Sequence, residues 1–232
     1  MSTRKRHLLF QRMYDSALAT AKYPDLIEMS VYVDNDDIAT QEYLKTMKGD
    51  IKITIGERIT LSDMLNVAYK KATADIILCG SDDLIFRTKD WDERVINVFN
   101  QSKDKLILVF PDDLILRNSL ASFFFLHRRW IETLGYVLPP YYSCDMCDVW
   151  MDEISKMIGR RIYLPDVIIE HMHYRVGKSE FDETYAEGKA RGERDDVWKL
   201  YYSHLDKRLT DVEKLRKAMK IKDWKLETKE EC

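Results

Sequence analysis

The run Asp75-Ile76-Ile77-Leu78-Cys79-Gly80-Ser81-Asp82-Asp83 constrains this chain more than any other segment. Four consecutive apolar residues, Ile76 to Cys79, suit a short strand covered on both faces, as in a parallel sheet. Gly80 and Ser81 end that strand and leave Asp82 and Asp83 at its carboxyl end, where open α/β sheets bind ligands. Adjacent carboxylates repel each other and lose hydration, so a positive partner is expected between them. A hard divalent cation carrying substrate phosphates meets that need.

The pattern recurs. Val31-Tyr32-Val33 runs into Asp34-Asn35-Asp36-Asp37, and Leu106-Ile107-Leu108-Val109-Phe110 runs into Pro111-Asp112-Asp113. Three apolar runs that end in acids predict one polar crevice along one edge of a sheet. Asp and Asn also end strands and start helices for purely local reasons, and that reading is applied first to Asp112 and Asp113.

Between these runs lie helical spacings. Arg12 to Thr20 places Met13 and Ala17 on one face, and Ile38 to Met47 reads as a short helix. Thr60 or Ser62 caps a helix through Lys71 that buries Leu61, Leu65 and Ala68. Asp92 to Asn100 turns Val95, Ile96 and Phe99 inward. Strands are expected at Leu26 to Val33 and Ile51 to Ile55, both by alternation, and at Leu106 to Phe110 as an apolar run. Such alternation through about residue 110 calls for an α/β sheet with right-handed crossovers. Beyond it the chain predicts a strand at Ser122 to Leu126, a helix at Arg129 to Leu134, and a helix from Asp145 to Ile158 ended by Gly159. Strands are expected at Ile162 to Leu164 and Val167 to His173. From Phe181 the sequence is polar and helical, with Lys222 to Cys232 expected to fray.

At 232 residues the chain is long enough for one substantial core. A formal net charge of −3 argues against a general nucleic-acid coat, while leaving local basic clusters such as Arg4-Lys5-Arg6 and His127-Arg128-Arg129. No apolar stretch approaches the roughly 20 residues that span a bilayer, and no signal peptide is read. Four cysteines without a regular framework fit a reducing compartment, so a cytoplasmic location is expected.

Several side chains invite chemistry. His171 and His173 lie two apart on an expected strand and so share a face, from which one can complete a metal site begun at Asp82 or Asp83. Either one alone can also serve only packing. Cys144-Asp145-Met146-Cys147 is a CxxC, but no second pair accompanies it, and the downstream HxH lacks finger spacing. Within it, Asp145 and Asp148 are three apart on one face of a helical first turn. A carboxylate there suits a general base, or ordinary capping of the helix. Arg58, between a strand and a helix, reaches a phosphate, a nucleobase or a surface carboxylate. Asn66 holds the acidic loop or faces solvent. Arg128-Arg129-Trp130 binds an acceptor or a diphosphate, or begins a solvated helix.

In order and spacing these pieces resemble a GT-A fold glycosyltransferase of the family 2-like group. The matching stretches are Ser2 to Arg6, Val31 to Asp34, Asn66 with Ala72, Gly80 to Asp83, Phe125 to Trp130, Asp145 to Gly159 and Tyr163 to His171. The resemblance implies a Rossmann-like, mostly parallel sheet flanked by helices over residues 1–175, with a helical extension over 176–232. It implies a metal-dependent transferase that moves one sugar from a nucleotide sugar, UDP-linked by preference, to a hydroxyl acceptor. That acceptor is a glycan, a modified nucleobase in DNA or a protein.

Residue by residue, Asp34 and Asp36 would contact the nucleotide, with Arg4, Arg58 and Arg129 on its phosphates or base and Asp82 on the ribose or sugar. Asp83 would bind Mn²⁺ or Mg²⁺, completed by His171 or His173. The base would lie about eleven residues before the helix-ending glycine, which selects Asp148 first and Asp145 second. Cys147 stands where that family carries Glu beside the base, which leaves the stereochemical outcome open. The Arg-Trp motif of processive synthases is not found after the base helix, so single transfer is expected. The first strand of such a fold precedes the Thr3-Arg4 loop, so this strand is expected to be missing, shortened or replaced by another segment. A non-catalytic nucleotide-sugar-binding subunit and a sugar-phosphate nucleotidyltransferase are the competing functions. Homo-oligomerisation is expected to use the C-terminal helices.

Overall fold

The computed structural model describes residues 1–220. A two-residue strand β1 (Ser2–Thr3) leads into α1 (His7–Thr20), β2 (Glu28–Asp34), α2 (Ile38–Thr46), β3 (Asp50–Gly56) and α3 (Leu61–Tyr69). Strands β4 (Ile76–Cys79) and β5 (Leu84–Phe86) precede α4 (Trp91–Gln101), β6 (Leu108–Asp112), β7 (Phe124–His127) and α5 (Arg128–Leu134). Helix α6 (Cys147–Met157) and the long strand β8 (Arg161–His171) follow, then α7 (Glu183–Arg194), α8 (Val197–Ser203) and α9 (Leu205–Ala218).

The strands form two sheets. One is wholly parallel in the order β1-β2-β3, and the other is mixed in the order β4-β7-β6-β8-β5. In the second, β6 pairs parallel with β8, while β7 runs antiparallel to β4 and β6 and β5 runs antiparallel to β8. Local chemistry sets the helix starts. The Asp37 side chain caps α2 by accepting from the Thr40 amide, and Thr60 caps α3 by accepting from the Asp63 amide. Gly56 ends β3 beside Tyr32, whose hydroxyl occupies the space a Cβ would need as it reaches the Glu57 carbonyl.

Two apolar clusters sandwich the sheets. Phe10, Met13 and Ala17 of α1 and Val95 and Phe99 of α4 cover one face. Leu65 of α3, Trp130 of α5 and Trp150 of α6 cover the other, together with Val212 and Leu215 of α9. Helices α8 and α9 therefore share this core.

Three elements differ from the sequence reading. The two strands expected around Pro165 are one, β8, whose ladder with β6 jumps from Pro111↔Leu164 to Asp112↔Ile168. Pro165 has no N–H to give, so the strand bulges past it and resumes. Strand β5 was not expected: three residues between an acidic pair and Arg87 carry no readable period. The strand at Ile76 to Cys79 forms, but only Cys79 is buried, and Ile76 to Leu78 remain partly exposed along one open edge. The expected fraying of Lys222 to Cys232 lies outside the described residues. Among the described residues no helix is long and apolar enough to cross a membrane.

Candidate active site

The acidic strand ends gather at one edge of the two sheets, and the first of them is Asp34. It closes β2, is 2% exposed, and accepts hydrogen bonds from Arg4 Nη1 at 3.0 Å and Arg58 Nη1 at 2.5 Å. Sharing one buried carboxylate aims both guanidinium groups at one place. Arg4 also forks onto the exposed Asp36, through Nη2 to Oδ2 at 2.9 Å. The Lys5 amide donates to Asp37 at 2.6 Å, tying the loop after β1 to the start of α2.

Asp82 and Asp83 are both buried. Asp82 accepts from Thr3 Oγ1 at 2.8 Å and faces Arg6 Nη1 at 3.4 Å. Burial, then the neighbouring Asp83 charge, push its carboxyl up to about 7. Burial acts on Asp83 in the same direction, but hydrogen bonds from His171, Ser81 and Tyr185 outweigh it and hold that carboxyl below the usual range. One acid of the pair thus keeps its charge while the other tends to take a proton. Asp83 Oδ2 lies 3.3 Å from His171 Nε2 and 2.7 Å from the Tyr185 hydroxyl. The backbone fixes this meeting: the Met172 amide donates to the Asp83 carbonyl at 2.8 Å, and the His171 amide to the Asp113 carbonyl at 3.1 Å.

Asp148 stands in the first turn of α6. Burial, against a hydrogen bond from the Val149 amide at 2.9 Å, raises its carboxyl to about 6. Its charge also helps to raise the buried Cys79 thiol at the end of β4, so the two sites are neighbours. The residue before the helix, Met146, is buried with φ at 71°, a left-handed conformation that a branched or bulky side chain adopts only when its surroundings impose it. Asp145 is exposed and lines a pocket of about 380 Å³ with His173, Tyr185 and Trp198.

Several partners in the site carried no sequence signal because they come from more than 100 residues away. Asp182 pairs with Arg6 through Nε to Oδ2 at 2.7 Å, and Arg6 lies 4.1 Å over the Tyr185 ring. Glu187 pairs with Arg58, and Thr184 Oγ1 donates to the Arg4 carbonyl at 3.2 Å. Helix α7 therefore covers the arginines of the site with its own carboxylates.

Other expected residues lie elsewhere or do other work. Arg129 is not brought to the site: β7 runs antiparallel to β4, so residues following His127 emerge beside Ile76, at the end opposite Asp82. Its Nη2 meets the Ala218 carbonyl at 3.3 Å, and Arg128 ties down the Ala72 and Ala74 carbonyls at 2.8 Å. Asn66 clamps Val137 and Leu138 through their backbone, away from the acidic loop. His173 Nδ1 accepts from the Arg175 amide at 3.2 Å, and its ring packs on Tyr174 and Tyr185, so His171 alone of the two reaches Asp83. Asp113 Oδ1 gathers the amides of Ile115, Leu116 and Arg117, the local turn role anticipated for it.

No group of three or more His, Cys, Asp or Glu side chains among the described residues makes an all-protein metal cage. The Asp83–His171 pair fits a different kind of site, in which a hard cation takes one or two protein ligands and the rest from phosphate and water.

A parallel βαβ half bearing buried acids, joined to a mixed sheet that closes on a histidine, is a GT-A-like fold. Solved structures agree. The chain is similar to the mannosyltransferase PcManGT from Pyrobaculum calidifontis, in complex with GDP-Man and Mn²⁺, with a TM-score of 0.57 at 18% identity, over 94% of this chain and 72% of that one. It is similar to S. aureus TarS at a TM-score of 0.53 and 13% identity, over 73% of this chain and 35% of that one. The TarS 1–349 structure with UDP gives a TM-score of 0.51 at 13% identity, covering 72% of this chain and 57% of that one. No protein-family model matches the sequence. No curated protein matches it either.

Proposed function

We propose that this protein is a glycosyltransferase that moves one sugar from a nucleotide sugar to a hydroxyl acceptor with the help of a divalent cation. The observation that carries this reading is the meeting of a charged Asp83 with His171 at the sheet edge that also holds Asp34 between two arginines. The likeness to PcManGT with GDP-Man and Mn²⁺ and to TarS with UDP supports the donor class. Asp83 and His171 would hold Mn²⁺ or Mg²⁺, which would supply charge neutralisation for the departing diphosphate.

The chain's own residues do the rest. Asp34, with Arg4 and Arg58 fixed on it, receives the nucleotide, with Asp36 at the exposed rim; a UDP-linked donor is our first choice. Asp82, protonated near neutrality, donates a hydrogen bond to the ribose or sugar without adding repulsion. Asp148, with its carboxyl raised to about 6, is ionised at neutral pH yet basic enough to take the acceptor's proton. As that proton moves to Asp148, the acceptor oxygen bonds to the anomeric carbon and the bond to the diphosphate oxygen breaks. The pocket beside Asp145 and His173 is the acceptor's approach.

Calorimetric titration with UDP, GDP and dTDP, with and without Mn²⁺, tests this on the wild type and on Asp83→Ala. Binding of one nucleotide that requires metal and is lost in the variant is expected. Metal-independent binding, or equal binding by the variant, would overturn the metal assignment. Absence of binding by any nucleotide would overturn the function.

A further inference from the structure

Helix α8 turns one face to the core and the other to solvent. Val197 and Tyr201 are buried in the cluster around Trp150, which fixes the rotation of the helix. Trp198 and Tyr202, one turn apart on the opposite stripe, are left 61% and 69% exposed. Their ring centroids are 6.5 Å apart, with 27° between the planes. That exceeds the roughly 3.5–4.0 Å of face-to-face contact, so the rings lie offset and both keep aromatic surface in water. Adjoining apolar rings exposed in this way mark an interaction surface.

The surface continues into the site. Trp198 borders the pocket of about 380 Å³ beside Asp145, and Tyr202 lies beyond it. The same pocket touches both halves of the chemistry. The Tyr185 hydroxyl on its wall donates to Asp83 at 2.7 Å, and the charge of Asp145 bears on the carboxyl of Asp148. Helix α7 contributes two glycines one turn apart, Gly188 and Gly192. At Gly192 a Cβ would meet Cys144 Sγ at 3.2 Å and Asp145 Oδ2 at 3.3 Å, so close packing asks for glycine there. At Gly188 a Cβ would meet no described atom within 4 Å. Glycine weakens a helix interior relative to alanine, and no packing at Gly188 requires it. What its bare backbone leaves is room in the pocket.

The wall also selects by charge. Three carboxylates, Asp145, Glu193 and Asp196, share it with two cations, Arg175 and Lys189. A phosphate-rich acceptor such as DNA calls for an excess of positive charge, which this wall lacks. A saccharide suits it: the hydroxyls donate to carboxylates, and the C–H faces of the sugar lie against aromatic faces, which carry partial negative charge. We propose that the acceptor is a neutral oligosaccharide, whose terminal sugar enters this pocket and whose following units lie along Trp198 and Tyr202. The acceptor role rests on the glycosyltransferase reading above, in which the terminal hydroxyl meets Asp148; the saccharide-binding surface stands on the aromatic pair and the pocket alone.

Calorimetric titration of the full chain with neutral α- and β-linked oligosaccharides of glucose, mannose and galactose, two and five units long, tests it. Binding of at least one series is expected, tighter for five units than for two. Trp198→Ala is expected to weaken five-unit binding by roughly three- to tenfold, and Trp198→Phe to restore most of it. Tyr202→Ala is expected to remove the advantage of five units over two. Gly188→Leu, a better helix former, is expected to abolish binding of both lengths without lowering the melting temperature. Binding of none of these saccharides overturns the proposal, as does binding unchanged in both aromatic variants or tighter binding of a short DNA duplex. The nucleotide titrations on the wild type separate the two readings. Nucleotide binding without saccharide binding keeps the transferase and overturns the saccharide acceptor. Saccharide binding through Trp198 without nucleotide binding overturns the transferase and the acceptor role with it, leaving a saccharide-binding module.

Discussion

At the scale of single residues, Asp148 concentrates the conflict between stability and function. Its carboxyl is ordinarily ionised above about 4 in an unfolded chain, and the fold raises it to about 6. Ionising it therefore costs the folded state: stability falls as pH rises through that window, and the loss is complete above it. Asp148→Asn removes this cost, so the variant is expected to unfold at a higher temperature than the wild type at pH 8, with the difference vanishing near pH 4. Thermal melts across that range check it, and an unchanged melting temperature at pH 8 would deny that burial strains this group. Activity is expected to move oppositely. Donor turnover, measured as transfer or as hydrolysis before an acceptor is known, rises with pH through about 6 in the wild type. In Asp148→Asn it falls by roughly 10²–10⁴-fold and loses that limb. A variant that keeps the limb would assign the base elsewhere, with Asp145 next.

At the scale of elements, α7 is the part of the site that no strand-end motif announces. Its capping residue Asp182, with Glu183 and Glu187, occupies Arg6, Lys5 and Arg58, three of the cations around the acidic strand ends. These pairs are partly exposed, so each is worth no more than about 1 kcal/mol. Glu187→Gln is accordingly expected to tighten nucleotide binding by up to roughly fivefold, with a smaller effect at higher salt. Weaker binding in the variant would mean that Glu187 orders Arg58 for the nucleotide instead of competing with it.

How much of this was legible follows the range of each interaction. Asp34, Asp82 and Asp83 were readable because a strand's end is written locally, in an apolar run followed by acids. The Asp83–His171 meeting was readable only through the order of motifs. Tyr185 and Glu187 were not, because a polar helix gives no sign of which face it lays on a site 100 residues away. Arg129 was misplaced because its neighbours identify a helix start but not the antiparallel turn of β7, which carries it to the far end of the sheet.

At the scale of the whole molecule, the helices beyond residue 175 bear on stability as much as on the site. Val212 and Leu215 of α9 are fully buried in the cluster that holds Trp130, Tyr142 and Trp150. Trp150 and Tyr136 also both bond to the buried Asp211 of the same helix. A helix that fills the core and satisfies its polar atoms cannot leave without exposing two tryptophans and orphaning an indole N–H. The described residues are thus expected to unfold in one transition, with tryptophan fluorescence and far-UV dichroism coincident in denaturant. Leu215→Ala is expected to cost about 2–5 kcal/mol from the whole transition, lowering its midpoint without splitting it. Two separated transitions, the first removing helix and leaving nucleotide binding intact, would instead show that the C-terminal helices are an independent unit resting on a finished core. That outcome would also weaken the role of α7 over the arginines, because a helix that melts separately cannot hold Arg6 and Arg58 in place through the main transition.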